Sequence, residues 1–202
     1  MSARPAAARA KPGRPSTGAR ERIRDACLEV LKSDGYAGLT IARVAARAGE
    51  NKALVSYHFG SKQGLIAEAG RELGRVITAD VLEGLEGAVT VEEIVRGGVD
   101  GVWRILERDA RVARVYFDLN AVSVVEDDVR AVMREIKEQW RTVFAGLLRD
   151  AGVPARTAAT GAVMMIAVNE GLCLEWIERG RTAELSRARD LMAGATAAVL
   201  AG

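Results

Sequence analysis

Leu39-Thr40-Ile41-Ala42-Arg43-Val44-Ala45-Ala46-Arg47-Ala48-Gly49, followed by Glu50-Asn51-Lys52-Ala53-Leu54-Val55-Ser56-Tyr57-His58-Phe59, is the stretch that decides the fold. Thr40 suits the N-cap of a short helix, 41–48, because its hydroxyl can accept from a free first-turn N–H. Ile41, Val44 and Ala45 then share an inward face, while Arg43 and Arg47 point out. Gly49 breaks the chain, and Asn51 caps a second short helix, 52–58. Two short helices across a tight glycine turn make a helix-turn-helix.

Outward from that motif the chain reads as helix throughout. Before it, a helix from about Thr17 to Ser33 carries Ile23, Ala26, Cys27, Val30 and Leu31 on one stripe, and Gly35 stops it. After it, Gly60 ends the second short helix and Ser61 caps a longer one, 62–82. Thr90-Val91-Glu92-Glu93 is a capping box that opens a helix to about Arg108. A shorter helix follows, about Ala110 to Ala121. Ser123-Val124-Val125-Glu126 reads as a second box, with a helix to about Ala151 behind it. Gly152-Val153-Pro154 stops and restarts the chain. The next helix, 155–179, is apolar nearly all round in its first half, and a final one spans 183–200. No strand and no internal repeat is evident. The expected class is all-α with about nine helices: a helix-turn-helix domain followed by a larger helical domain.

Composition narrows the chemistry. The 202 residues are 49% hydrophobic and 28% charged but only 4% aromatic, which favours a folded helical protein. Two cysteines, Cys27 and Cys173, and one histidine, His58, leave no CxxC, no HExxH and no ligand cluster, so no metal or cofactor is expected. A disulfide framework is likewise out, which fits a reducing, cytoplasmic setting. The run from Ala158 to Val168 is too short to span a bilayer and meets Asn169-Glu170, so no membrane partner is expected. Catalysis has little to draw on. Glu126, Asp127 and Asp128 suit a helix dipole better than an acid–base site, and no Glu-x-x-His pair exists for a di-iron bundle.

Charge is uneven. Residues 1–62 hold 12 Lys and Arg against 5 Asp and Glu, while the remainder holds 17 against 22. A basic head on an acidic body points to a polyanion as partner of the head. The second short helix is roughly 12 Å long at ~1.5 Å per residue, a fit for one major-groove insertion. Leu54 and Val55 face inward, so Lys52, Ala53, Ser56 and Tyr57 remain for the groove. Lys52 can donate to guanine or to phosphate, Ser56 to either, and Ala53 offers a methyl for thymine. Tyr57 can reach a phosphate. Thr40 and Asn51 sit where free helix N–H groups favour one, and Arg43 and Lys62 add cations. His58 is either a phosphate donor or a half-buried support between helices. Residues 1–16 form a basic arm whose Arg14, within Gly13-Arg14-Pro15, either enters a minor groove or simply solubilises the chain.

The run 39–49, then Lys52 to Phe59, then Ser61-Lys62-Gln63-Gly64-Leu65, resembles the N-terminal domain of TetR-family transcriptional regulators over about residues 20–70. Tyr57-x-Phe59-x-Ser61-Lys62 carries much of the match. Asn169-Glu170-Gly171-Leu172 is similar to a stretch of the family's penultimate helix. Two departures stand out: Glu50-Asn51 before the recognition helix, and Ser56 where the family often has tyrosine. The resemblance implies a DNA-binding domain at 17–62, with the motif at 40–59, and an effector-binding and dimerisation domain at 63–202.

It also implies a pocket in the second domain. Trp103, Tyr116, Phe117, Asn120, Trp140, Phe144, Met165, Asn169 and Glu170 are the residues expected to meet a mid-sized, partly apolar ligand. Asn169 and Glu170 are a costly polar pair unless partnered. Ala158, Ala162, Met165 and Ile166, with Leu191, Met192, Ala195 and Val199, are expected to form a homodimer face. The function expected is a regulator, a repressor released from a palindromic double-stranded DNA operator by a small effector. The alternative is a helical adaptor or lipid-binding module without a specific DNA role.

Overall fold

A computed structural model describes residues 18–202, and the arm with Arg14 lies outside the described residues. Nine helices make up the described chain: α1 (Ala19–Gly38), α2 (Ile41–Ala48), α3 (Lys52–Phe59), α4 (Lys62–Glu83), α5 (Val91–Asp109), α6 (Arg111–Val122), α7 (Asp127–Asp150), α8 (Ala155–Arg179) and α9 (Ala183–Ala201). No strand occurs among the described residues.

Local chemistry sets most of these boundaries. Thr40, Asn51, Ser61, Thr90 and Thr182 each accept a first-turn N–H through their side chains. Gly49 turns α2 into α3 at φ 69°, a backbone state that a Cβ disfavours. At α5 the capping box is complete: Glu93 accepts from the backbone N–H groups of Val89 (3.0 Å) and Thr90 (2.9 Å). Those two bonds hold its carboxyl below the usual carboxylate range.

Three expectations need correction. The first helix runs past Ser33 to Gly38, broken at Gly35 (φ 67°, ψ −178°), because Tyr36 to Gly38 resume a helical turn beyond the break. The second capping box does not form. Ser123 instead ends α6, its hydroxyl donating back to the Asn120 carbonyl (2.6 Å), and α7 begins at Asp127 without a side-chain cap. Arg130 closes the turn by donating to the carbonyls of Ser123 (2.8 Å) and Val124 (2.7 Å). Nor is the apolar stretch too short to span a bilayer: the expected helix 155–179 forms as α8, a single 25-residue helix. By length and composition that helix is apolar enough to cross a membrane (mean hydropathy 1.4). Ala158, Ala162, Met165, Ile166, Leu172 and Cys173 on it are buried against the other helices, so in this fold it is a core helix.

Helices α1 to α3 pack over the start of α4 through Ile23, Cys27, Val30, Val44, Val55 and Leu65, all but withdrawn from solvent. Each such burial stabilises by about 1.5–3 kcal/mol. Helices α4 to α9 form a bundle in which α7 lies along α8 and also against α4. The α4–α7 crossing is close because Gly74 has no side chain; a Cβ there would fall 2.7 Å from Ile136 Cγ1.

Candidate nucleic-acid interface and effector cavity

The α3 surface follows from its two buried anchors. With Val55 buried and Leu54 half-buried, the rotation of the helix leaves Lys52, Ala53, Ser56 and Tyr57 exposed on the opposite side. Tyr57 is 74% exposed, more than packing alone would leave a tyrosine. Asn51 and Thr40 are exposed at the helix starts, each with its side-chain oxygen spent on the cap. Lys52, Ser56 and Tyr57 share the outward face of α3 and present donors suited to phosphate and base edges.

Three other residues of the expected set are engaged within the protein. Arg43 donates to the Gly38 carbonyl (2.9 Å) and lies against Asp34 (3.2 Å), so it ties α2 to the end of α1. Lys62 sits over the Tyr36 ring (5.0 Å to the centroid). His58 is half-buried, and its Nε2 is fully covered with no hydrogen-bond partner among the described residues. The ring packs edge-on against the Tyr57 ring (5.2 Å between centroids) and the Phe59 ring (6.2 Å). Glu50, which the sequence reading treated only as a departure, meets Arg22 at 2.5 Å and fastens the turn to α1.

A cavity opens among α4, α5, α6, α7 and α8; the empty space in and around it, open solvent included, comes to about 760 Å³. Its wall is almost wholly apolar, which suits an apolar guest. Six of the nine expected residues line it: Tyr116, Phe117, Trp140, Phe144, Asn169 and Glu170. The other three do not. Trp103 is buried edge-on against Trp176 (4.7 Å) and beneath Arg189. Asn120 donates back to the Tyr116 carbonyl (3.0 Å), and Met165 faces the core beside Gly98. Helical periodicity identifies an inward face but not which inward residues border a void.

Two polar clusters interrupt the apolar wall. In one, the Tyr116 hydroxyl donates to Glu170 Oε1 (2.5 Å), and Lys137 Nζ approaches the same oxygen at 2.8 Å. Burial, followed by the bond to Glu170, pushes the Tyr116 phenol well above its ordinary value. Burial also pushes the Cys173 thiol up to about 12, so it is an inert part of the wall. In the other cluster, Trp140 Nε1 donates to Thr78 Oγ1 (2.7 Å), whose hydroxyl donates to the Gly74 carbonyl (2.7 Å). The sequence reading missed Thr78 and Lys137: Thr78 is a single hydroxyl in an apolar stretch of α4, and Lys137 is one charge among many on α7, so no motif marks either. Asn169 is buried and spends its amide on the Met165 carbonyl (2.9 Å).

The α8 half of the expected dimer face is corrected as well. Ala158, Ala162, Met165 and Ile166 face the protomer's own core. The exposed stripe of α8 is one step round, at Val163, Ala167, Gly171 and Leu174. On α9, Leu191, Met192, Ala195 and Val199 are exposed, as a subunit contact requires.

Comparison with known proteins bears on both halves. Residues 23–69 match the family model of bacterial regulatory proteins, tetR family, and residues 91–201 match the BetI-type transcriptional repressor, C-terminal. The HTH-type transcriptional regulator BetI 1 of Chromohalobacter salexigens is 27% identical over 178 residues, covering 85% of each chain. The HTH-type transcriptional activator FasR of Mycolicibacterium smegmatis is 27% identical over 158 residues, covering 77% of this chain and 71% of that one. A transcriptional regulator of known structure from Streptomyces coelicolor A3(2) superposes with a TM-score of 0.75 at 25% identity, over 92% of this chain and 99% of that one.

Proposed function

The chain belongs to the tetR family of bacterial regulatory proteins and is a helix-turn-helix transcriptional regulator, and from that premise we propose that it is a homodimeric repressor released from a palindromic operator by a small, partly apolar effector. One observation carries this reading: α4 and α6 wall the cavity and also support the DNA-binding helices. Arg20 and Arg24 of α1 pair with Glu68 and Glu72 of α4. At the other end of α1, Gly35 lies beside Asp118 of α6, where a Cβ would be 3.4 Å from its carboxylate.

An effector between these helices acts by its differential affinity for two arrangements of the dimer. Trp140 is the link with the shortest path. A guest that moves its ring breaks the bond to Thr78 and loosens α4 from α7, and α4 leads directly into α3. Lys52, Ala53, Ser56 and Tyr57 are the proposed DNA contacts, with Thr40 and Asn51 beside them at helix starts. Arg14 on the preceding arm remains part of the proposal, as a minor-groove contact.

The exposed stripes of α8 and α9 are the proposed two-fold face. Two copies then read half-sites about 34–36 Å apart. Work on DNA belongs in the cytoplasm, and no catalytic step is needed.

The test is enrichment of sheared genomic DNA by the protein at two salt concentrations, followed by sequencing. One or a few short palindromes, weakened by salt, are expected, because each phosphate contact releases counterions. No enrichment at either salt would sink specific binding by the unliganded protein, and a salt-independent signal would favour an adaptor. A reporter behind the enriched site is expected to rise when the gene is deleted; a fall would make the protein an activator.

A further inference from the structure

The turn between α2 and α3 holds a charge of the wrong sign for DNA, and its role there rests on the DNA-binding reading above. Between Asp34 and Glu68, Glu50 is the one acidic residue, against Arg43, Arg47, Lys52 and Lys62. It directly precedes Asn51, the N-cap of the recognition helix α3. Its carboxylate meets the Arg22 guanidinium of α1 at 2.5 Å. The Glu50 side chain is 14% exposed and that of Arg22 47%, so the acid is the more covered of the two. Arg22 is thus held beside the start of α3.

Fastening alone does not account for the pair. The backbone closes this turn without it: the Gly49 N–H donates to the Ala46 carbonyl (3.3 Å) and the Glu50 N–H to the Ala45 carbonyl (2.9 Å). Asn51 then opens α3 by accepting the Leu54 N–H (2.8 Å). A partly exposed ion pair adds little to stability. Its larger effect is on charge. An arginine bound to a carboxylate is a net-neutral unit, whereas phosphate binding draws its strength from unbalanced cations that displace counter-ions. To meet a phosphate, Arg22 must leave Glu50, and leaving strands a largely covered carboxylate beside a polyanion.

We propose that Glu50 attenuates DNA affinity: as the internal counter-ion of Arg22, it withholds one phosphate contact per subunit at the rim of the recognition helix. It is a positioning residue, acting through Arg22 and touching no base. The withheld contact is sequence-independent, so the pair weakens binding to operator and to random DNA in the same proportion and leaves the preference to the α3 face. A regulator attenuated in this way dissociates more readily from every site, and an effector has less binding free energy to overcome.

Fluorescence anisotropy on the full chain tests this with two labelled duplexes, one carrying the enriched palindrome and one of scrambled sequence, at salt from about 50 to about 200 mM. Glu50→Gln keeps an acceptor for Arg22 and removes the charge. It is expected to tighten both duplexes in equal proportion at constant melting temperature, a gain that misfolding cannot mimic. The salt slope should steepen by about 0.9 for each subunit engaged, so the gain shrinks about 3-fold per subunit across that salt range. With Arg22→Gln already in place, Glu50→Gln should no longer steepen the slope. A gain that persists without Arg22 would mean plain repulsion by Glu50, and a gain at the palindrome alone would mean base reading; either overturns the proposal. So does unchanged binding, or a loss of binding with or without a fall in melting temperature, which would make the pair a brace. Should no palindrome be enriched, the operator reading fails, and the slope on the scrambled duplex still decides the role of Glu50.

Discussion

The outer face of α3 and the cavity below it are built from opposite materials. The first is convex, eight residues long and polar, held by two inward side chains and two caps. The second is concave, spread over five helices and almost wholly apolar, with two small polar clusters. A convex site tolerates change in the residues it presents, because their side chains support nothing. A concave site does not, since each lining residue is also part of the core. Substitutions should therefore separate binding from stability on α3 and mix the two in the bundle.

The sharpest contrast uses α4, where both regions meet. Ile66→Ala, at a fully buried position, is expected to cost about 2–5 kcal/mol in urea unfolding, with operator binding falling along with the folded fraction. A loss well under 1 kcal/mol would mean that the packing between the two regions is slack. Alkali should act on both at once. Burial pushes the Cys27 and Cys173 thiols up from 9.0 to about 12, and the Tyr116 phenol is raised as well. Groups raised in this way favour the folded state in full below their unfolded values and give that stability up as pH climbs through the folded ones. Melting temperature should thus hold to about pH 9 and fall steadily above it. A flat profile to pH 11 would contradict the burial of these three groups.

Within the bundle, Thr78→Val keeps the shape and strands the Trp140 N–H. The expected loss is about 1–3 kcal/mol with a shift in tryptophan emission. An unchanged spectrum would remove Trp140 from the proposed link. On α3, Lys52→Ala should weaken operator binding at constant melting temperature. If the loss is equal on all sequences and the salt slope falls by about 1, Lys52 meets a phosphate; relaxed preference at one position makes it a base reader. Tyr57→Phe is the smallest change, about 0.5–1.5 kcal/mol in DNA binding with no effect on folding. A collapsed melting temperature would reassign Tyr57 to the core.

What the sequence disclosed follows the same division. Caps and turns are local, so Thr40, Asn51, Ser61, Thr90 and Gly49 announce their elements from a few neighbouring residues. Ser123 misleads because its hydroxyl can serve the helix behind it as readily as the one ahead, and only packing decides. On α3 the two buried residues determine which side faces out. In the bundle, an apolar residue at helical spacing is inward in either case, and whether it borders a void depends on helices far away in sequence. Trp103 and Met165 were indistinguishable from Trp140 and Phe144 on periodicity alone. Arg43 and Lys62 looked free because their partners, Asp34 and Tyr36, stand on another helix.

The apolarity of α8 carries a hazard during synthesis. Its 25 residues leave the ribosome as a segment that a membrane insertion machinery could accept, and α9, which covers part of it, comes later. Leu200 near the end of α9 closes over Gly161 near the start of α8, where a Cβ would be 2.6 Å from it. At about 5–20 residues per second, the 19 residues of α9 add roughly 1–4 s during which that side of α8 is bare. Helix α7 is already made by then and lies along α8. Docking of α7 on α8 therefore covers one side of the apolar helix before α9 is complete.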